Sequence, residues 1–181
     1  LVAGSFDTAA HMLHDQLAIV HLGPFKPLFL SLHARSRVSL EGLPSAGSLF
    51  TFPLHNWEEA AGRAGQPAIG VKVADLATKL QAAYHHTTAG KFSEVFVQLR
   101  AILLSVPFLV VATKTELAEA EQLIEICREY LGGLLLENRR KELPKSTPAE
   151  QRRNAELCAY FTHYGRQPVH RILTLRSPVN T

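Results

Sequence analysis

Two helix starts in this sequence are specified almost completely by side-chain chemistry. Thr113 is followed three residues later by Glu116, and Thr147 by Pro148 and Glu150. An N-cap threonine hydroxyl accepts from the N–H of the third helical residue, and a glutamate there reaches back to the cap N–H. Proline at the first helical position sacrifices no hydrogen bond. After the first start, Leu117, Ala120, Ile124, Cys127, Leu131 and Leu134 recur at alternating spacings of three and four, with Leu135 beside the last. Glu116, Glu119, Glu121 and Glu125 occupy the first half, and Arg139, Arg140 and Lys141 the end, a polarity that complements the helix dipole. The spacing predicts one helix from Thr113 to about Glu142, stopped by Pro144. Gly132-Gly133 is its weak point, costing about 1 kcal/mol per glycine against alanine. A helix with one apolar stripe is stable only when another element covers that stripe. The chain is thereby constrained to stacked helices.

The remaining helices follow the same logic. Ser5 stands as N-cap before Phe6, Ala9, Ala10, Leu13 and Leu17, with Asp7 in the first turn, and the pattern runs to about Ile19. His21-Leu22-Gly23-Pro24 ends that helix, and Pro27 opens another to about Arg35, with Leu28, Phe29 and Leu32 facing inward. Asp75 is the expected N-cap for Leu76, Leu80, Ala83 and Tyr84; Gly90 breaks the chain, and Phe92 to Leu104 returns before Pro107. Gly90, Phe92, Val95, Leu99, Ile102, Leu103 and Pro107 fall at the offsets of the second helix of a tetratricopeptide-type repeat. Lys79 and His86 stand where the first helix of such a repeat carries larger packing residues. Leu157, Cys158, Tyr160 and Phe161 line the helix that starts at Thr147, and Gly165 and Pro168 separate it from a short last helix, Val169 to Arg176.

Between these blocks, Ser36 to Pro67 carries Gly42, Gly47, Gly62 and Gly65 together with Pro44, Pro53 and Pro67. Leu49 to Phe52 and Ala68 to Val73 alternate or are β-branched, which suits a hairpin or an extended arm. The expected fold class is all-α: an α-solenoid, TPR-like stack of antiparallel helices with an irregular insertion that has room for a β-hairpin. Helices are expected over about 5–35, the insertion over about 36–74 and the helical stack over about 75–176.

Composition excludes several classes. A chain of 181 residues, 46% hydrophobic, can bury its own core without a disulfide or metal scaffold. Cys127 and Cys158 both lie inside apolar-periodic segments, as buried thiols in a reducing compartment do. The net charge is +3, with the excess concentrated between Glu137 and Arg153, too little and too local for a nucleic-acid footprint. The longest apolar run, Ala101 to Ala112, is interrupted by Ser105 and Pro107 and is too short to span a bilayer. The chain opens at Leu1 with no leader-like segment, so a soluble piece beginning inside a longer protein is expected.

Nine histidines raise the question of an enzyme. His11, His14 and Asp15 fall at i, i+3 and i+4 on one helix, where two imidazoles and a carboxylate can hold a divalent metal and activate water. The alternative function is thus a helical metal-dependent phosphohydrolase of the HD class. That class needs a further histidine upstream and an aspartate on a later helix, and only ten residues precede His11. The competing assignment is the polar face of an amphipathic helix. His85 and His86 are consecutive and point about 100° apart, so they chelate poorly. His163 and His170 flank a loop and suit capping or core roles. Gly62-Arg63-Ala64-Gly65 lacks the lysine and spacing of a phosphate-binding loop. Arg139, Arg140, Lys141, Lys145, Arg152 and Arg153 form a basic cluster that suits a solvated helix end or, alternatively, contact with acidic lipid headgroups or an acidic protein surface. Phe50, Phe52, Trp57, Ile69, Val71 and Val73 lie in or beside the loop-rich stretch, where large apolar side chains either fold back or enter a partner's groove. These six are the candidate interface.

Several blocks resemble the C-terminal region of the coatomer alpha subunit. They are Ser5-Phe6-Asp7-Thr8-Ala9, Gly90-Lys91-Phe92-Ser93-Glu94, Ile102 through Pro107 and Ile126-Cys127-Arg128-Glu129-Tyr130. Leu143-Pro144-Lys145, Ala159 through His163 and Gln167-Pro168-Val169-His170 continue the similarity, which is closest over Gly90–His170 and loosest over Gly42–Pro67. The resemblance implies a part in the COPI coat, binding to the epsilon subunit and other coat subunits, and peripheral membrane association. It implies no catalytic residue and no cofactor. The family continues into further amphipathic helices where this chain reads Ser177-Pro178-Val179-Asn180-Thr181, so the last helix is expected to fray.

Overall fold

A computed structural model describes residues 1–2, 4–40, 50–53, 70–144, 146–165 and 170. The chain divides into two compact units, Leu1–Lys72 with Pro107–Val110, and Val73–Val106 with Val111–Thr181.

In the first unit, α1 (Phe6–Leu17) begins after Ser5, which occupies the N-cap position without a side-chain cap bond. It ends two residues before the expected Ile19, because Ala18 turns left-handed (φ 53°) and donates its N–H to the Leu13 carbonyl. A 3-10 turn at Gly23–Phe25 leads into α2 (Lys26–Arg35). Aromatic rings make this core. Phe6 stacks on Phe29 with centroids 6.3 Å apart and meets the edge of His33 at 5.1 Å, while Phe25 and Phe29 both pack edge-on against Phe108. Leu13 and Leu32 are buried with them. Strands β1 (Arg37–Leu40) and β2 (Phe50–Pro53) pair antiparallel, Arg37 opposite Pro53 and Leu40 opposite Phe50. The expected β segment near Phe50 is therefore real, and Arg37–Leu40 is its partner. Arg37-Val38-Ser39-Leu40 also alternates charged or polar with apolar residues, a short strand signal hidden by its position directly after α2. Val71 instead forms an isolated parallel bridge to Leu109, and the Val110 N–H donates to its carbonyl at 3.0 Å. Gly70 permits this approach, since a Cβ there would collide with Cγ2 of Val110.

Among the described residues the second unit contains four helices, α3 (Val73–Thr88), α4 (Phe92–Ser105), α5 (Lys114–Glu142) and α6 (Pro148–His163). Each packs on the next in chain order, and α3 also touches α5. The all-α stack is as the periodicities require. Helix α3 starts two residues before the expected cap, leaving Asp75 in its first turn, where it still complements the dipole. It closes on a Schellman motif. Gly90 (φ +75°) donates to the Thr87 carbonyl and Lys91 to the His86 carbonyl, so a three-residue link reverses the chain into α4. Both capping boxes are formed: Glu116 N–H donates to the Thr113 hydroxyl, and Glu150 N–H to that of Thr147.

Leu76, Val95, Leu99, Ile102 and Cys127 are wholly enclosed, joined by Leu80, Ala83, Ala120, Leu123, Leu134, Leu157, Cys158 and Phe161. Full burial of one such aliphatic side chain contributes about 1.5–3 kcal/mol. Gly132-Gly133 is a packing site: an ideal Cβ on Gly132 would lie 2.6 Å from the Tyr164 ring. Directly after it, the Gly165 N–H donates to the Glu129 carboxylate at 2.9 Å. Two bulky members of the expected α5 stripe, Leu117 and Leu135, are half exposed, whereas Tyr130 and Glu137, outside that stripe, are buried. Of the expected last helix only His170 belongs to the described residues, and it is buried.

Candidate interaction surface

Two polar clusters hold the four-helix unit together. The first joins α3 and α5. The Tyr130 hydroxyl lies 2.7 Å from Nδ1 of His170, and the Thr88 hydroxyl lies 3.1 Å from Nε2. The Tyr84 ring packs against Tyr130 at 5.3 Å and against His170 at 5.6 Å. Burial, reinforced by Tyr130 and Cys127, pushes the Tyr84 phenol up to about 12, and burial pushes the Cys127 thiol up to about 11. A thiol so enclosed is a packing group rather than a nucleophile.

These shifts set an alkaline limit with a definite sign. Both groups ionise less readily folded than unfolded, so their stabilisation is complete below the ordinary thiol and phenol values. It is lost as pH rises through about 11 for Cys127 and about 12 for Tyr84. Stability measured by urea unfolding should fall from pH 9 upward, and Cys127→Ala should remove its share, about 2–3 kcal/mol across the window. A flat profile from pH 9 to 11 would contradict the burial of that thiol.

The second cluster joins α5 and α6. Arg140 donates to both carboxylate oxygens of Glu137, at 2.7 and 2.8 Å, and reaches the Asn154 carbonyl oxygen at 3.5 Å. The Glu137 and Arg140 side chains are only 6% and 11% exposed, and the hydrogen bonds that the guanidinium donates to Glu137 hold the Arg140 pKa above its ordinary value. The Lys141 ammonium sits 4.0 Å from Glu137 and 4.7 Å above the Phe92 ring, which brings α4 into the arrangement. The basic run read from the sequence is thus split in function. Arg140 is a core group, while Arg139 and Arg153 form exposed pairs with Glu142 and Glu156 that contribute little. Lys145 lies outside the described residues.

The residues proposed for metal chemistry do not assemble. His11, His14 and Asp15 are all exposed on α1, and the His14 ring turns to its own neighbour, Asp15, at 3.1 Å. Among the described residues no three His, Cys, Asp or Glu side chains gather around a common point. Helical spacing puts these groups on one face, but no second element among the described residues brings a further ligand to it. His86 pairs with Glu94 at 3.2 Å, and His163 is exposed.

Four of the six interface candidates lie among the described residues. Phe50 and Phe52 lie in β2; Trp57 and Ile69 lie outside the described residues. Val71 folds back onto Leu109, and Val73 is buried at the first position of α3. The structure leaves other apolar residues open, among them Leu17, Leu117, Leu135 and Tyr160, which the helical spacing places on apolar stripes. In the four-helix unit Val97 is 67% exposed and Tyr160 58%, with Leu117 and Leu135 close behind; in the first unit Met12, Leu17, Val20 and Leu30 are open. Val97 could have been found: it falls between the buried positions Val95 and Leu99, on the opposite face of the α4 wheel. No described helix is long and apolar enough to cross a membrane.

Comparison with known proteins assigns this arrangement of helices. The family model that describes the C-terminus of the coatomer (COPI) alpha subunit matches residues 1–181. The chain belongs to that family. Among its relatives, coatomer subunit alpha-3 of Oryza sativa subsp. japonica is 41% identical over 177 residues, 97% of this chain. Coatomer subunit alpha-2 of Arabidopsis thaliana is 38% identical over 93% of the chain, and coatomer subunit alpha of Dictyostelium discoideum 36% over 99%. The chain spans only 14% of the length of these coatomer alpha relatives. The resemblance read from Ser5–Ala9 and Gly90–His170 is thus the correct one.

Proposed function

We propose that this chain is a non-enzymatic structural segment of the COPI vesicle coat, which docks the coatomer epsilon subunit and other coat subunits during Golgi-to-ER and intra-Golgi transport. The observation that carries the reading is the family match along the whole of residues 1–181. Physical features agree with it. The polar clusters described in the second unit fasten helices to each other. Large apolar side chains such as Val97, Leu117, Leu135 and Tyr160 remain open to solvent, as anchors for a partner do. Phe50, Phe52, Trp57 and Ile69 are the anchors proposed within the 36–74 insertion. The coat would hold the segment at the cytoplasmic face of Golgi and vesicle membranes, peripherally. Neither a cofactor nor nucleic acid enters this role.

Calorimetric titration of the purified chain with purified epsilon subunit tests the proposal. A one-to-one complex with a Kd of about 1 μM or tighter is expected. If Tyr160 or Leu135 is an anchor, Tyr160→Ala or Leu135→Ala should weaken binding about tenfold or more, because truncated interface anchors cost over 1 kcal/mol. Two proteins that stay separate at tens of micromolar, about ten times that Kd, would refute the docking role.

A further inference from the structure

The cluster around His170 determines where that ring carries its proton. Thr88 has a single hydroxyl hydrogen and donates it to the Tyr84 carbonyl at 3.0 Å. Its oxygen can therefore only accept from His170, at 3.1 Å, which puts a hydrogen on Nε2. In the neutral ring Nδ1 is then an acceptor, and the Tyr130 hydroxyl, 2.7 Å away, donates to it. Three segments of chain thus meet on one imidazole: the end of α3 through Thr88, the middle of α5 through Tyr130, and position 170, which is only 3% exposed. Among the described residues, the titratable groups that face the ring include Tyr84 from α3 and Tyr130 from α5, with Cys127 beside Tyr84.

We infer that His170 is a proton-sensitive pin: as the neutral Nε2–H tautomer it fastens position 170 onto α3 and α5, and protonation weakens that attachment. A protonated imidazole donates from both nitrogens. Tyr130 would have to surrender its donated bond and accept instead, and a positive charge would stand in an enclosed aromatic site, where charge is costly. The pin is a positioning device; release would uncover the Tyr84 and Tyr130 rings.

Long-range proton–nitrogen NMR of the 181-residue chain at pH 7.5 reads the tautomer directly. A hydrogen on Nε2 is expected, and a hydrogen on Nδ1 overturns the inference. The second arm compares the chain with His170→Gln, which keeps a donor and an acceptor but cannot take up a proton. Below about pH 6.5 the folding constant of the parent chain should fall relative to the variant by up to about tenfold per pH unit. Parallel profiles would overturn the pin. Should the variant fail to fold, hydrogen exchange in the parent chain decides. Protection at the His170 amide should drop between pH 7.5 and 5.5 while α4 amides keep theirs, and unchanged protection at His170 counts against it.

Discussion

Glu137→Ala should lower the stability of the four-helix unit by about 3–5 kcal/mol. The carboxylate is 6% exposed and accepts two hydrogen bonds from an arginine that is itself 11% exposed. Deleting it takes two short hydrogen bonds and a countercharge from the Arg140 guanidinium at the α5–α6 contact, where the longer bond to Asn154 does not offset the lost solvation. Lys141 loses its nearest carboxylate at the same time. The loss arises from the charge left behind rather than from the net worth of the pair, and this makes a sharp control possible. Replacing both partners with methionine should recover most of the stability, since a well-packed apolar pair often equals a buried ion pair. Urea unfolding followed by circular dichroism measures both variants. A loss below about 1 kcal/mol for the single variant would mean that Arg140 finds water easily, as exposed pairs do.

The second large effect is Leu99→Ala. Leu99 is fully enclosed in α4, between Val95 and Ile102, which are equally buried. Truncation removes the transfer contribution of the side chain and leaves a cavity that α3 and α5 can only partly close, for a loss of about 2–5 kcal/mol. Leu99→Met keeps the volume and should cost less than about 1.5 kcal/mol. Two residues earlier on the same helix, Val97 is 67% exposed, and Val97→Ala should change stability by no more than about 0.5 kcal/mol. Similar losses at 97 and 99 would disprove the face of α4 described here. Val97→Ala is also the variant to carry into binding measurements, because it alters the surface without disturbing the core.

The largest parts of the architecture were legible because they depend on local chemistry. The Thr113–Glu116 and Thr147–Glu150 boxes, the left-handed Gly90 and the spacing of Val95, Leu99 and Ile102 each act within a turn or two of helix, so the residues alone predict the element. The same chemistry overreached at His11, His14 and Asp15. One face of one helix supplies ligands only when another element completes the shell, and none does among the described residues. Strand β1 escaped notice because four alternating residues next to a helix end are a weak signal until a partner strand exists.

Amino-acid order by itself determined the existence of the described helices to within a few residues at their ends, the stacking they require and the family they belong to, since capping, periodicity and block similarity are all carried by short stretches of chain. Only the tertiary structure decided which polar side chains went inside. Glu137, Arg140, Tyr130 and His170 are separated by up to some forty positions and look like surface residues one at a time. They become core groups because burial is affordable only when a distant partner completes the hydrogen bonds, and that distance is closed by packing rather than by sequence.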